Sequence, residues 1–336
     1  MATIKDVARE AGVSIGTVSA TINGTAGVSE KLAQRVWDAV AAVGYSPDGI
    51  ARSLRLGRTS TIALVISDIS NPFFASLAKA VETRANAAGY SVILANTDED
   101  PARELELLNL MRVQRVAGIL LAPSGFDDAY RAALARFADM PLVMVDRFLP
   151  DMPFDSVIVD NLAAAQSVTD YLLRLGHRRI AIVSGRPHVS TAEQRLRGFR
   201  ETLQAAGVRH DPALAMTADF RIETAYDAVQ ALLSRPEPPT AIFAANNMMS
   251  LGAMQAVMDM GFRCPEQISV AGIDDFPWST AIRPRLTTVV QPIEEVGATA
   301  VDRLLARLKP AGAKAAPETV TLAPRLLVRE SCRRVD

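Results

Sequence analysis

The sequence predicts an α/β protein in two parts: a short all-helical segment at the N-terminus, then two lobes of mostly parallel sheet covered by helices. Three observations predict it. Apolar residues recur at helical spacing through the first 45 residues. From residue 60 onward short apolar runs alternate with helical stretches. Those apolar runs are too many for one doubly wound sheet, so two lobes of similar size are expected.

The chain has 336 residues, 49% of them hydrophobic, which suits substantial cores and more than one domain. It holds no run of about 18 apolar residues, so no membrane span is expected. Its start, Met1-Ala2-Thr3-Ile4-Lys5-Asp6, is not a basic segment followed by an apolar stretch, so no secretory signal is read and a cytoplasmic location is expected. Cys264 and Cys332 make no metal motif and would stay reduced inside a cell. The net charge of −1 is unevenly spread. Residues 1–60 carry seven basic and five acidic side chains, leaving the remainder acidic. A local positive excess favours phosphate contact and the acidic remainder limits non-specific sticking.

In the first segment Ile4, Val7, Ala8 and Ala11 share one face of a helix that Gly12 stops. Ser14 is placed to cap a second helix with Val18 and Ile22 inward, and Asn23-Gly24 ends it. Ser29 is placed to cap a third, with Leu32, Val36, Ala39 and Val43 inward and Gly44 at its end. Two short helices joined by a tight turn and braced by a third have the layout of a helix-turn-helix. The second helix would present Ile15, Gly16, Thr17, Ala20 and Thr21 outward. Geometry alone leaves a DNA reader and a plain bundle equally open.

The run Ile4-Lys5-Asp6-Val7-Ala8-Arg9-Glu10-Ala11-Gly12-Val13-Ser14, then Thr17-Val18-Ser19 and Ile22-Asn23, resembles the signature of the lactose- and purine-repressor family, the LacI/GalR transcriptional regulators. Val36-Trp37, Gly44-Tyr45-Ser46-Pro47 and Ala51-Arg52-Ser53-Leu54 continue the resemblance without a gap. The resemblance implies a DNA-binding domain over 1–48, a hinge helix and linker over 49–59, and a ligand-binding and dimerisation domain over 60–336. It implies DNA contacts by Thr3, Ser14, Ile15, Gly16, Thr17, Ala20, Thr21 and Asn23 in the head. In the hinge it implies Arg52, Leu54 and Arg55, with Leu54 as a minor-groove wedge that bends the duplex. Ile15, Gly16 and Ala20 stand where members of the family often carry polar or basic side chains. Direct readout would then rest on thymine methyls and on Thr17 or Thr21.

Beyond residue 60, strand runs are read at Ile62–Ile66, Val92–Ala95, Ile119–Leu121, Leu142–Val145, Val157–Val159, Ile180–Val183, Ala241–Ala244, Ile268–Ala271 and Arg325–Arg329. Helices are read at Phe73–Ala88, Ala102–Arg115, Asn161–Leu175, Ala192–Ala206, Thr224–Ser234 and Met248–Met260. Gly89, Gly176, Gly207 and Gly261 stop four of these helices.

The resemblance implies a sensor with the fold of periplasmic sugar-binding proteins. Its N lobe would span about 60–160 and 292–320, its C lobe about 161–291 and 321–336. Ligands of open α/β sheets gather at the carboxyl ends of the strands. Asp146-Arg147, Asn246 and Asp274 end strands there, and Phe73-Phe74 follow the first. Family ligand contacts map onto Phe73, Phe74, Arg147, Thr191, Arg195, Phe220, Asn246 and Asp274.

Arg195, Arg147, Asn246 and Asp274 could hydrogen-bond sugar hydroxyls, and Phe73 and Phe220 could face a sugar's C–H patches. Arg147 stands where the purine-binding members have an aromatic residue and Val189 where they have an arginine, so a purine is not expected. Two pocket arginines would also suit a carboxylate or phosphate, so the expected effector is a sugar, a sugar acid or a sugar phosphate.

No phosphate-binding glycine loop is present, and His177, His188 and His210 lack metal-ligand spacing. His177 is read as a helix-ending residue. No catalytic set stands out. The expectation is therefore a non-enzymatic repressor without metal or cofactor, dimeric on a palindromic operator because one helix-turn-helix covers only half a site.

Overall fold

The computed structural model describes residues 2–22, 27–45, 59–310, 312 and 315–335. The expected hinge, with Arg52, Leu54 and Arg55, lies outside the described residues, as does Asn23. The chain divides into two compact units, Met1–Ser60 and Thr61–Asp336.

The first unit holds α1 (Ile4–Ala11), α2 (Ile15–Ile22) and α3 (Glu30–Val43). Val7, Ala8, Ala11, Val18, Val36 and Ala39 form its core. Gly12 ends α1 at φ 61°, a left-handed conformation that strains any side chain with a Cβ. The Ser14 hydroxyl accepts the Thr17 N–H at 3.1 Å, so Ser14 caps α2 as its position suggests. Ser29 precedes α3 in extended backbone, but its side chain makes no capping hydrogen bond. Leu32 and Val43, expected inward, are only half-buried.

The second unit is built on two six-stranded sheets. In the first the spatial order is β2 (Ser91–Asn96), β1 (Thr61–Ile66), β3 (Gly118–Leu121), β4 (Leu142–Val145), β5 (Asp155–Val159) and β11 (Thr319–Leu322). In the second it is β7 (Ala215–Thr217), β6 (Ile180–Ser184), β8 (Ala241–Ala244), β9 (Ser269–Ile273), β10 (Thr287–Val290) and β12 (Arg325–Leu327). Both orders follow the same rule, and every pairing is parallel except β10 with β12.

The helices α4 (Pro72–Ala87), α5 (Pro101–Val113), α6 (Asp128–Ala135) and α11 (Ile293–Arg307) cover the first sheet. The second is covered by α7 (Asn161–Arg174), α8 (Ser190–Ala205), α9 (Ile222–Leu233) and α10 (Asn247–Asp259).

Strand periodicity explains the layering. Ile62, Leu64 and Ile66 of β1 join one core cluster while Ala63 and Val65 join the cluster on the opposite face. Burial on both faces makes the strands read as continuous apolar runs. Glycines let the covering helices approach closely. A Cβ on Gly297 of α11 would lie 2.6 Å from the Ala80 Cβ of α4, and one on Gly252 of α10 would lie 2.2 Å from the Ile222 carbonyl oxygen of α9.

Five elements have no counterpart in the sequence expectation: α6, α11, β7, β10 and β11. The first sheet keeps the chain to Leu322, slightly past the expected return near residue 321. His177 does more than end a helix. Its buried ring bridges Thr240 Oγ1 at 2.9 Å and Ser269 Oγ at 3.1 Å, where β8 and β9 begin.

Candidate functional site

At the carboxyl ends of both sets of strands lies a cavity of about 380 Å³, within the usual range for small-molecule sites. Phe73, Phe74, Arg147, Thr191, Arg195, Phe220, Asn246 and Asp274 all line it. The structure thus gathers eight positions that are spread over 200 residues of sequence.

Each side chain is placed by its element. Asn71 caps α4 through its Oδ1, which accepts the Phe73 N–H at 3.0 Å. The Phe73 and Phe74 rings then meet edge to face, centroids 5.2 Å apart, and belong to the first lobe's core as well as to the cavity wall. Asn246 caps α10, accepting the Met249 N–H at 2.8 Å. Arg195, on α8, donates to Asn161 Oδ1 at 2.7 Å and to the Ala245 carbonyl at 2.6 Å. Gln291 donates to the Asp274 carboxylate. The Phe220 ring sits against Gly185, where a Cβ would come within 2.0 Å of it.

Arg147 is expected to hydrogen-bond sugar hydroxyls or to suit an anion, and in the structure its guanidinium already has a carboxylate partner. Its guanidinium is held in both arms by Glu99, at 2.7 and 2.6 Å, with both side chains buried. It also donates to the Pro123 carbonyl at 3.3 Å and lies 5.5 Å from the Phe220 ring centroid. Burial opposes ionising Glu99, but Arg147 outweighs it and holds the carboxyl below the ordinary range. Burial lifts Asp146 to about 6, with Arg147 and Arg195 pulling it down and Asp274 and Glu99 adding to the rise. Asp274 is likewise raised by burial, against Arg195 and Gln291.

Seven carboxylates and three arginines line the cavity. Six wall residues other than glycine hold positive φ: Asp98, Glu99, Asp146, Asp219, Phe220 and Asp274. Such backbone costs of order 1–3 kcal/mol per residue and concentrates at functional sites.

The sequence expectation omitted Glu99, Asp146, Asn71, Asp219 and Gln291 as site residues. Asn71 and Gln291 sit inside recognisable motifs, and Asp146 ends a strand, so those three carried a signal. Contacts also cross the cleft. Asn247 donates to Asn71 at 2.9 Å, the Phe148 N–H to Ser190 at 3.2 Å, and Arg186 to the Glu99 carbonyl at 3.2 Å.

In the N-terminal unit Ile15 is 45% exposed at the start of α2, beside exposed Ser14 and Gly16, while Thr17 and Ala20 are half-buried. Thr21, expected outward, is buried, and its hydroxyl donates to the Thr17 carbonyl at 3.0 Å within the same helix. Thr3 donates its N–H and hydroxyl to Asp6, at 2.9 and 2.7 Å, fixing the start of α1.

Residues 3–48 match the family model of bacterial regulatory proteins, lacI family, and residues 169–332 that of a periplasmic binding protein-like domain. The HTH-type transcriptional regulator DegA of Bacillus subtilis is 36% identical over 331 residues, 98% of this chain and 97% of its own. The chain belongs to the lacI family of bacterial regulatory proteins.

As a lacI-family member it is a DNA-binding transcriptional repressor, in a family of regulators and not of enzymes. The ribose operon repressor of Escherichia coli K12 is 37% identical over 308 residues, covering 92% of this chain and 93% of that one. The Lac repressor dimer bound to operator and the anti-inducer ONPF matches with a TM-score of 0.88 at 28% identity, over 99% of both chains. The transcriptional regulator CelR–cellobiose complex matches with a TM-score of 0.74 at 32% identity, over 98% of this chain and 100% of that one. For this lacI-family chain, α1 and α2 are the two helices of the helix-turn-helix and α3 is their brace. Among the described residues no helix is long and apolar enough to cross a membrane.

Proposed function

We propose that the protein represses a carbohydrate catabolic or transport operon in the bacterial cytoplasm, binding a palindromic operator as a homodimer and answering to a small polyhydroxylated effector in the cleft. The cavity carries this reading: its wall combines buried hydrogen-bonding side chains with aromatic faces, the pairing that sugars require. Two relatives have sugars in their names, ribose and cellobiose, which supports the same class.

Ile15, Gly16, Thr17 and Ala20 of α2, with Thr3 and Ser14, make the major-groove contacts. Thr21 acts inside the helix. Arg52, Leu54 and Arg55 make the hinge contacts. The second copy joins through apolar side chains left exposed at the outer edge strand and the helix behind it: Ile93 and Leu94 of β2, Leu110 and Val113 of α5.

Effector in the cleft changes how the two sensors meet and hence whether the paired heads fit the operator. Operator affinity then shifts by the coupling free energy, typically about 1–3 kcal/mol. Coupling is reciprocal. A sugar found by thermal-shift screening must therefore bind with different affinity in the presence of an inverted-repeat promoter fragment. Equal affinity with and without that fragment would overturn the coupling, and no preference for any inverted repeat over random duplex would overturn the repressor's mode of binding.

A further inference from the structure

We infer that Glu99 is a specificity-determining residue of the cleft: by pairing with Arg147 it closes the cavity to carboxylates and phosphates and reserves it for uncharged polyhydroxylated ligands. This rests on the proposed reading of the cleft as the effector site.

An anion that used Arg147 would have to displace Glu99, whose two oxygens already take both arms of the guanidinium. The displaced carboxylate would be left buried without its partner, the situation that makes breaking a buried ion pair costly. Glu99 is also fixed from its backbone. It holds φ 61°, and its carbonyl accepts Arg186 from the opposite lobe.

Arg195 offers an anion little more. Its Nε and Nη1 are committed to Asn161 and Ala245, and Asp146 and Asp274 already act on its charge. Two wall residues keep polar atoms that the pairing does not satisfy. Arg147 Nε and Gln291 Oε1 are buried and lack a hydrogen-bond partner among the described residues. Asp146 Oδ2 stands 3.8 Å from that Nε, beyond hydrogen-bond reach. One unsatisfied N–H donor and one unsatisfied acceptor suit hydroxyl groups, which both give and take a hydrogen bond. The rest of the wall repels negative charge, a form of exclusion that discriminates as effectively as attraction does.

The test uses matched probes that differ by an anionic group: D-ribose with D-ribose 5-phosphate, D-glucose with D-glucose 6-phosphate, and D-galactose with D-galacturonate. Calorimetric affinities are measured on the full-length protein, on Glu99→Gln, and on Glu99→Gln combined with Arg147→Gln, each checked for folding by thermal unfolding. The wild type is expected to bind the neutral member of a responsive pair at least about tenfold tighter. Glu99→Gln frees the guanidinium fork for bidentate anion contact and should move that ratio toward the anion by about tenfold or more. The double variant, which lacks the Arg147 guanidinium that Glu99→Gln sets free, should lose the gain.

A wild type that prefers the anionic member overturns the inference, and does so even if Glu99→Gln fails to fold. So does an unchanged ratio in Glu99→Gln, or a gain that survives in the double variant. Silence of every pair in every variant removes the sugar reading of the cleft itself, and this inference with it.

Discussion

The two lobes each send one buried arginine into the cleft, and they hold it in opposite ways. Arg147 of the first lobe is locked charge to charge with Glu99. Arg195 of the second is held by neutral acceptors, the Asn161 side-chain oxygen and the Ala245 carbonyl, with Asp274 and Asp146 acting on it through space. The sheets beneath have the same strand order. A shared frame therefore decides that a residue reaches the cleft, and the loop beside it decides what charge it presents there.

The largest expected effect separates the two arginines by stability. Arg147→Ala strands a buried carboxylate and should lower unfolding free energy by about 3–5 kcal/mol. Arg195→Ala leaves only neutral acceptors without their hydrogen bonds, since Asp146 and Asp274 act on it through space alone, and should cost about 1–3 kcal/mol. Denaturant unfolding measures both, and equal losses would break the contrast.

A second test sharpens the contrast through pH. Glu104 of α5 is fully buried in the first lobe, accepting the Ser124 N–H at 2.8 Å and the Tyr130 hydroxyl. Burial raises its pKa from 4.5 to about 7, with those hydrogen bonds pulling the other way. The folded protein then retains a proton that the unfolded chain releases between those values. Stability should fall as pH rises through that window, by on the order of 3 kcal/mol.

The second lobe's buried histidine works in the opposite direction. Burial lowers the His177 pKa from 6.5, so its contribution is lost as pH falls below that value. Glu104→Gln reproduces the protonated carboxyl and should flatten the decline between about pH 5 and 7. Melting temperature against pH, wild type beside variant, measures it, and parallel curves would remove Glu104 from the linkage.

The smallest effect concerns helix packing, where the lobes should agree. Gly297→Ala and Gly252→Ala each force apart a helix pair and should each cost about 1–3 kcal/mol by overpacking. Thermal unfolding checks this, and a neutral outcome at either position would show that the helices there can separate freely.

Much of this was legible in the sequence. Apolar runs buried on both faces gave the strands, and strand ends followed by polar residues gave the cleft, because in such sheets geometry carries those residues to one place. All eight expected positions reach one cavity. The Glu99–Arg147 pair was not legible. Its members are 48 residues apart, and Glu99 lies on a turn after β2 whose backbone direction depends on a positive φ.

Thr21 was misplaced because a two-turn helix offers too few residues to fix the angle of its buried face. The helix α11 was visible in principle, since Val296, Ala300, Val301 and Leu304 are buried at helical spacing. It follows the second crossover, however, and returns to a sheet whose strands had already been read. The short strands β7 and β11 carry partly exposed residues and so lack the continuous apolar run that marks the others.

The contact between Phe220 and Gly185 has a consequence for how such sensors diversify. The ring can lie where it does because nothing projects from position 185. Any larger residue there would force the aromatic, which lines the chamber, to shift and so reshape the wall. A regulator could thus be retuned in the shape of effector it admits by one change at a residue that need never touch it.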